Sequence, residues 1–348
     1  MLKLSPEFVH KLTAAQDITE LYPLLQNAIE LEHATIPPYL TAMFSIKPNT
    51  ERDIWGIIHS IVIEEMLHMT IASNILNALG GHPKIDHASF VPEYPTTLPM
   101  GIGDGLEVNL QKLSKEAVKD TFMQIEEPED PLEFPKVETG LLKAASAPPE
   151  FHTIGEFYDA LKNKISDLAP DKLPGDPSLQ VTAFFGSELL FPILTKDDAI
   201  KAINIIVEQG EGTSTAPIDF EGEIAHYYKF EEIYVGRALV KDESIPQGYS
   251  FSGDPITFDP ANVYPIYPNT KAAMFAEGTE ERRRVDDFND TYTSLLKGLH
   301  DTFNGKPDHI NATIGLMYDI KLQAERLCGT PFPGKKGYNI GPSFELSY

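Results

Sequence analysis

Apolar residues recur along this chain at steps of three and four, the spacing of one helical face. A first helix is expected from after Asp17 to about Phe44, through Leu21, Leu25, Ala28, Ile29 and Ile36. Pro37 and Pro38 fall inside it. Each lacks an N–H, which frees the carbonyls of His33 and Ala34 and predicts a kink. A second helix is expected from about Thr50 to Leu79, with the stripe Ile54, Ile58, Ile61, Glu65, His68, Ala72, Ile75 and Leu79. Its alternating steps of four and three mark a bundle seam. Gly80-Gly81 and Pro83 stop it.

A short helix at about 115–125 follows, then a third bundle helix at about 153–168 and a fourth at 196–208. Gly210 and Gly212 are expected to break the fourth, with helix resuming near Glu221 and reaching about Leu239. These two pieces read as one bundle element interrupted by a loop. Two more helices are expected at about 285–303 and 308–327. Pro- and Gly-rich stretches at 82–109 and 241–270 read as long loops, which in compact domains link elements or carry function. The fold expected is all-α: a four-helix bundle with long crossover loops over 1–240, and a C-terminal extension over 241–348 that adds a helical pair.

Composition narrows the chemistry. The formal net charge is -24, which repels phosphate backbones and anionic lipid headgroups, so neither nucleic acid nor a membrane is an expected partner. Cys328 is the single cysteine, so no internal disulfide and no thiolate cluster can form. Any metal must be held by oxygen and nitrogen. No signal-like apolar segment opens the chain and no run of about 18 apolar residues occurs, which makes the cytoplasm the expected compartment.

The informative positions are polar residues on apolar stripes. Glu65 and His68 lie three apart, on one helix face, where the seam demands apolar side chains. A buried carboxylate is costly unless paired, and a metal ion with a neighbouring imidazole supplies that pairing. Glu32 repeats the logic on the first helix, in line with Leu25, Ala28 and Ile36. A Glu on one helix and a Glu-x-x-His on the next form half of a carboxylate-bridged two-metal site. Candidates for the other half are Glu156, Glu208 or Glu211, and His226. Tyr39 and Tyr158 are candidate donors to the bound carboxylates. Glu64 reads as solvent-facing, and His33, His59, His82 and His87 as surface or loop residues. Carboxylates with two imidazoles suit iron, with manganese or a mixed pair as the alternative.

The runs Glu30-Leu31-Glu32-His33-Ala34-Thr35-Ile36-Pro37-Pro38-Tyr39, Glu64-Glu65-Met66-Leu67-His68 and Asn74 to Gly81 resemble the ferritin-like domain of the iminophenyl-pyruvate dimer synthase family, found in violacein and rebeccamycin biosynthesis. Gly155-Glu156-Phe157-Tyr158, Glu208 to Gly212, His226 to Phe230 and the ending Gly341 to Glu345 are similar to it as well. The resemblance implies a ferritin-like fold with metal ligands at Glu32, Glu65, His68, Glu156, Glu211 and His226. It also implies a stand-alone member without the large additional region of the biosynthetic enzymes. The expected function is a non-haem, di-iron type oxidoreductase in secondary metabolism, acting on a small-molecule substrate such as an amino-acid-derived imine. Bundles of this kind often pair, so a homodimer is one assembly open to the chain, and the sequence leaves the oligomeric state open. The alternatives are a non-catalytic metal-binding or storage protein, or a metal-free scaffold with a hydrogen-bonded polar core.

Overall fold

The structure is a computed structural model that describes residues 6–99, 106–128, 131–135, 154–213 and 215–347. Its helices are α1 (Pro6–Ala14), α2 (Tyr22–Phe44), α3 (Arg52–Leu79), α4 (Lys115–Ala117), α5 (Met123–Ile125), α6 (Ile154–Leu168), α7 (Lys196–Glu211), α8 (His226–Val235), α9 (Glu280–Phe303) and α10 (Ile310–Cys328). A π-helical turn, Val118–Phe122, joins α4 to α5. A small antiparallel hairpin pairs β1 (Val240–Lys241) with β2 (Tyr249–Ser250).

α2 and α3 form one packed pair, α6 and α7 a second, and α7 and α8 both pack on α3. α10 lies against α2 and α9 against α3, so the C-terminal pair shares the bundle's apolar core, from Leu12 through Phe344. The tail is pinned by Asn289 Oδ1, which accepts from Ser343 Oγ at 2.8 Å and from the Glu345 N–H at 3.0 Å.

α2 is one uninterrupted helix through Pro37 and Pro38. Tyr94 donates its hydroxyl to the Ala34 carbonyl at 2.9 Å, in place of the N–H that Pro38 lacks. α3 is long and apolar enough to cross a membrane by length and composition, but more than half of its apolar window is buried inside the bundle. Glu64, Glu65 and His68 sit midway along it.

Three boundaries differ from the sequence expectation. α7 runs through Gly210 to Glu211 and ends at Gly212, whose φ of 78° a side chain would strain. α8 begins at His226 rather than near Glu221. The cause is Asp219, whose Oδ1 accepts from the N–H groups of Glu221 and Glu223, both at 2.9 Å, and holds that stretch as a turn. α9 starts at Glu280, capped by Thr279 Oγ1 on the Arg282 N–H, ahead of its first apolar residue. The short α1, which packs on α6, has no counterpart in the expected elements.

Candidate metal centre

Four strands of the chain converge on one point in the bundle. α2 brings Glu32, α3 brings Glu65 and His68, α8 brings His226 in its first turn, and Glu126 closes α5. All five side chains are buried, His226 completely.

The two imidazoles are held alike. In the neutral ring, His68 Nε2 donates to Gln209 Oε1 at 2.9 Å, which turns Nδ1 toward Glu32 Oε2 at 3.7 Å and Glu65 Oε1 at 4.0 Å. His226 Nε2 donates to Glu64 Oε2 at 2.7 Å. His226 Nδ1 then lies 2.8 Å from Glu65 Oε1 and 3.5 Å from Glu126 Oε2, aligned for a hydrogen bond with neither. A buried ring nitrogen this close to carboxylate oxygens needs a cation between them, a proton in the metal-free protein or a metal ion in its place. Ligand atoms of Glu65, His68 and His226 all fall within 4.8 Å of one another.

Glu32 and Glu126 hold equivalent places on either side of Glu65. Each turns Oε2 to one imidazole and accepts a tyrosine hydroxyl on Oε1, from Tyr158 for Glu32 and from Tyr39 for Glu126. Glu65 Oε2 lies 3.0 Å from the Thr35 hydroxyl. Lys229 Nζ donates to both oxygens of Glu64, each at 2.9 Å, so Glu64 and the His226 ring are fixed together.

Protonation follows from this crowding. Burial and then the Glu126 charge push Glu65 up to about 7, against the pull of His226. Burial would raise Glu64 too, but His226 and Lys229 outweigh it and hold Glu64 down at about 2. Burial likewise opposes ionised Glu32, which His68 and Tyr158 nevertheless keep below the usual carboxylate range. Burial disfavours a charged His226, yet Glu126, Glu64 and Glu65 around it raise it well above an ordinary imidazole. Without a metal, protons on the imidazoles offset the carboxylate charge. The donor set of carboxylates and imidazoles fits a hard to intermediate transition-metal ion.

A pocket adjoins the cluster, lined by Glu32, Glu65, His68, Glu126 and, opposite them, by Ile154, Gly155, Ile206 and Glu211. Glu211 accepts the Gly155 N–H at 2.9 Å. A Cβ at Gly155 would come within 2.5 Å of that carboxylate, so glycine is what lets Glu211 close over the N-terminus of α6.

Of the residues singled out from sequence, the structure brings together Glu32, Glu65, His68 and His226, sets Tyr39 and Tyr158 on the carboxylates, and puts Glu211 on the cavity wall. The side chain of Glu156 lies outside the described residues. Glu208 is not part of the cluster. The buried stripe of α7 is Ala202, Ile205, Ile206 and Gln209, so position 208 is turned about 100° away and stays half-buried, while Gln209 faces His68. Glu64 is also corrected: it faces His226 rather than solvent. His33 is buried rather than superficial. Glu126 was missed. Its only sequence signal is a four-residue step from Phe122, which an acidic, Pro-rich context masks.

A helical bundle whose interior gathers carboxylates and imidazoles from separate helices is the architecture of ferritin-like proteins. A family model described as ferritin-like matches residues 25–235, which contain all five converging residues, and the chain belongs to that family. Over 99% of its length it is 24% identical to dichlorochromopyrrolate synthase of Lentzea aerocolonigenes, and it spans 37% of that protein. A ferritin-like protein from Caulobacter vibrioides has a similar fold, with a TM-score of 0.56 and 24% identity, covering 93% of this chain and 97% of that one.

Proposed function

We propose that this protein is a non-haem di-metal oxidoreductase that oxidises a small organic substrate, with iron as the metal and manganese as the alternative. The observation that carries the reading is the pair of imidazoles, each tied back through Nε2 and each presenting Nδ1 to the carboxylates, with Glu65 between them. Glu32, Glu65 and His68 would hold one ion, and Glu126, Glu65 and His226 the other. When bound, such ions supply redox chemistry, passing electrons from the organic substrate to dioxygen.

The chain's own residues do the rest. Glu32, Glu65 and Glu126 balance the charge of the ions, while Tyr158 and Tyr39 fix the orientation of the outer two. Gln209 and the Glu64–Lys229 pair hold the imidazole rings at their angles. Ile125, Ile154 and Ile206 line the adjoining cavity with apolar surface, which limits water beside the substrate. Similarity to dichlorochromopyrrolate synthase supports an amino-acid-derived imine as the first substrate to try.

The test loads the protein with Fe(II) without oxygen, counts ions by elemental analysis, locates them by anomalous scattering at the iron and manganese edges, and then admits air. Two ions at these residues, with oxygen uptake that an imine substrate accelerates, is the expected result. Wild-type protein that retains no ion from either metal would end the proposal.

A further inference from the structure

The opposite face of α3 looks into a different interior. A pocket of about 270 Å³ opens between α2, α3 and α10, with Met43, Phe44, Met66 and Met317 in its walls. Trp55, His59 and Lys321 line it too, with Tyr318 beside them, 66% exposed at the surface. Trp55 and His59 stack at 4.7 Å with their planes 17° apart, and Lys321 Nζ stands 4.7 Å from the centre of the Trp55 ring. A separate void beside Met69 and Tyr292 measures only about 40 Å³, room for little more than a water molecule, and is imperfect packing rather than a site.

Size is the first selector. A cavity of about 150 Å³ lined by aliphatic and aromatic side chains takes one benzene ring. The larger pocket here has room for two fused rings. Its walls are the second selector. Three of the chain's eight methionines line it, and Met66 and Met317 are only half-buried, which leaves part of their surface bare. Thioether sulfur makes favourable contacts with aromatic ring edges, and the unbranched methionine side chain re-packs around a flat guest. Phe44 and Trp55 add ring surfaces of their own. Charge is the third. A net charge of -24 repels an anion, and Lys321 in the lining repels a cation, which leaves an uncharged ligand. One polar handle is left over. Burial, and then the charge of Lys321, hold half-buried His59 below its ordinary value, so its ring is neutral at pH 7. A neutral imidazole has one nitrogen that donates and one that accepts. The His59 ring has no hydrogen-bond partner among the described residues.

We propose that this pocket binds an uncharged aromatic molecule of two fused rings with one hydroxyl, the rings among Met43, Met66 and Met317 and the hydroxyl at His59. The test is isothermal calorimetry on metal-loaded, full-length protein with 2-naphthol and, separately, with its saturated counterpart decahydro-2-naphthol. Both fill similar space and carry the same hydroxyl, but only the first has aromatic faces. The expected result is one site with a Kd on the order of 10 μM for 2-naphthol and binding about tenfold weaker for the saturated alcohol. Trp55→Leu narrows that difference by weakening 2-naphthol alone. His59→Phe keeps a ring against Trp55 and weakens both alcohols about fivefold. Met317→Trp, which fills the pocket with a bulkier side chain, abolishes binding of both while far-UV circular dichroism stays that of the wild type. No saturable heat up to about 1 mM 2-naphthol in the wild type overturns the proposal. So does equal affinity for the two alcohols, or a Met317→Trp protein that binds them as the wild type does. None of the varied residues belongs to the metal centre, so this outcome is read separately from metal binding.

Discussion

Consecutive residues of α3 serve two interiors of opposite character. Glu65 and His68 face a cluster in which direction matters: each polar atom has an assigned neighbour, and the two Nδ1 atoms share the carboxylates around Glu65. Met66 and Met69 face a region in which volume matters, with apolar walls, soft side chains and room left over. A rotation of about 100° per residue is enough to separate the two. One face is thus specified by geometry and charge, the other by shape alone. Variants on the two faces should therefore fail in different ways.

The largest effect is expected from Glu65→Ala. Glu65 is the carboxylate that lies between both imidazoles, so its loss should abolish binding of both ions while far-UV circular dichroism stays that of the wild type. Full metal occupancy in this variant would refute the site. Across the helix, Met69→Ala should do the reverse. It removes a buried side chain at the edge of a void and should lower unfolding stability by about 2–5 kcal/mol, with metal content unchanged. Denaturant titration and elemental analysis on the same preparation check both halves. Metal loss in Met69→Ala would mean that the two faces are not independent.

A smaller effect is expected from Glu64→Gln. Glu64 would not touch an ion but holds His226 through Nε2. Weakening that contact should lower metal affinity about 10- to 100-fold with the number of ions per chain unchanged. A chelator competition titration measures it, and wild-type affinity would show that the Glu64 charge has no part in orienting the ring.

The same contrast explains what was legible in the sequence. Glu32, Glu65 and His68 stood out because a polar residue on a seam of otherwise apolar positions breaks a pattern, and the pattern itself fixes which way it points. His226 was legible by residue type, though not as the first residue of its helix. Glu126 breaks no visible pattern, because it follows a π-helical turn that shifts the register and enters a stretch rich in proline and acid. Gln209 carries no charge to draw notice, and its inward position depends on α7 continuing through Gly210. Glu64 gains its role only from where α8 starts, which Asp219 decides from the preceding turn. Tertiary placement, not local periodicity, sets these three. The methionine-lined voids were unreadable for a different reason: Met66 and Met69 satisfy the apolar pattern whether the space beside them is filled or not.

The last effect is a matter of pH, and it sharpens the difference between the faces. Glu65 in the metal-free protein is pushed up to about 7, and His226 is raised well above its ordinary value, so both carry protons at pH 6. An ion binds the deprotonated forms, and the protons compete with it. Affinity must then rise with pH: it is lowest below pH 7, where Glu65 is protonated, and that contribution levels off as pH climbs past about 7. The His226 proton extends the rise further. Each proton displaced is worth up to about tenfold in affinity per pH unit, so Mn(II) should bind at least tenfold more weakly at pH 6 than at pH 8. Calorimetry in buffers of different ionisation heat should record proton release on binding. Met69→Ala should leave this release untouched and Glu65→Ala should remove it together with the ions. A binding constant that does not change over this range would mean that Glu65 and His226 are already free of protons, and that the carboxylates around them are spaced more widely than their present distances.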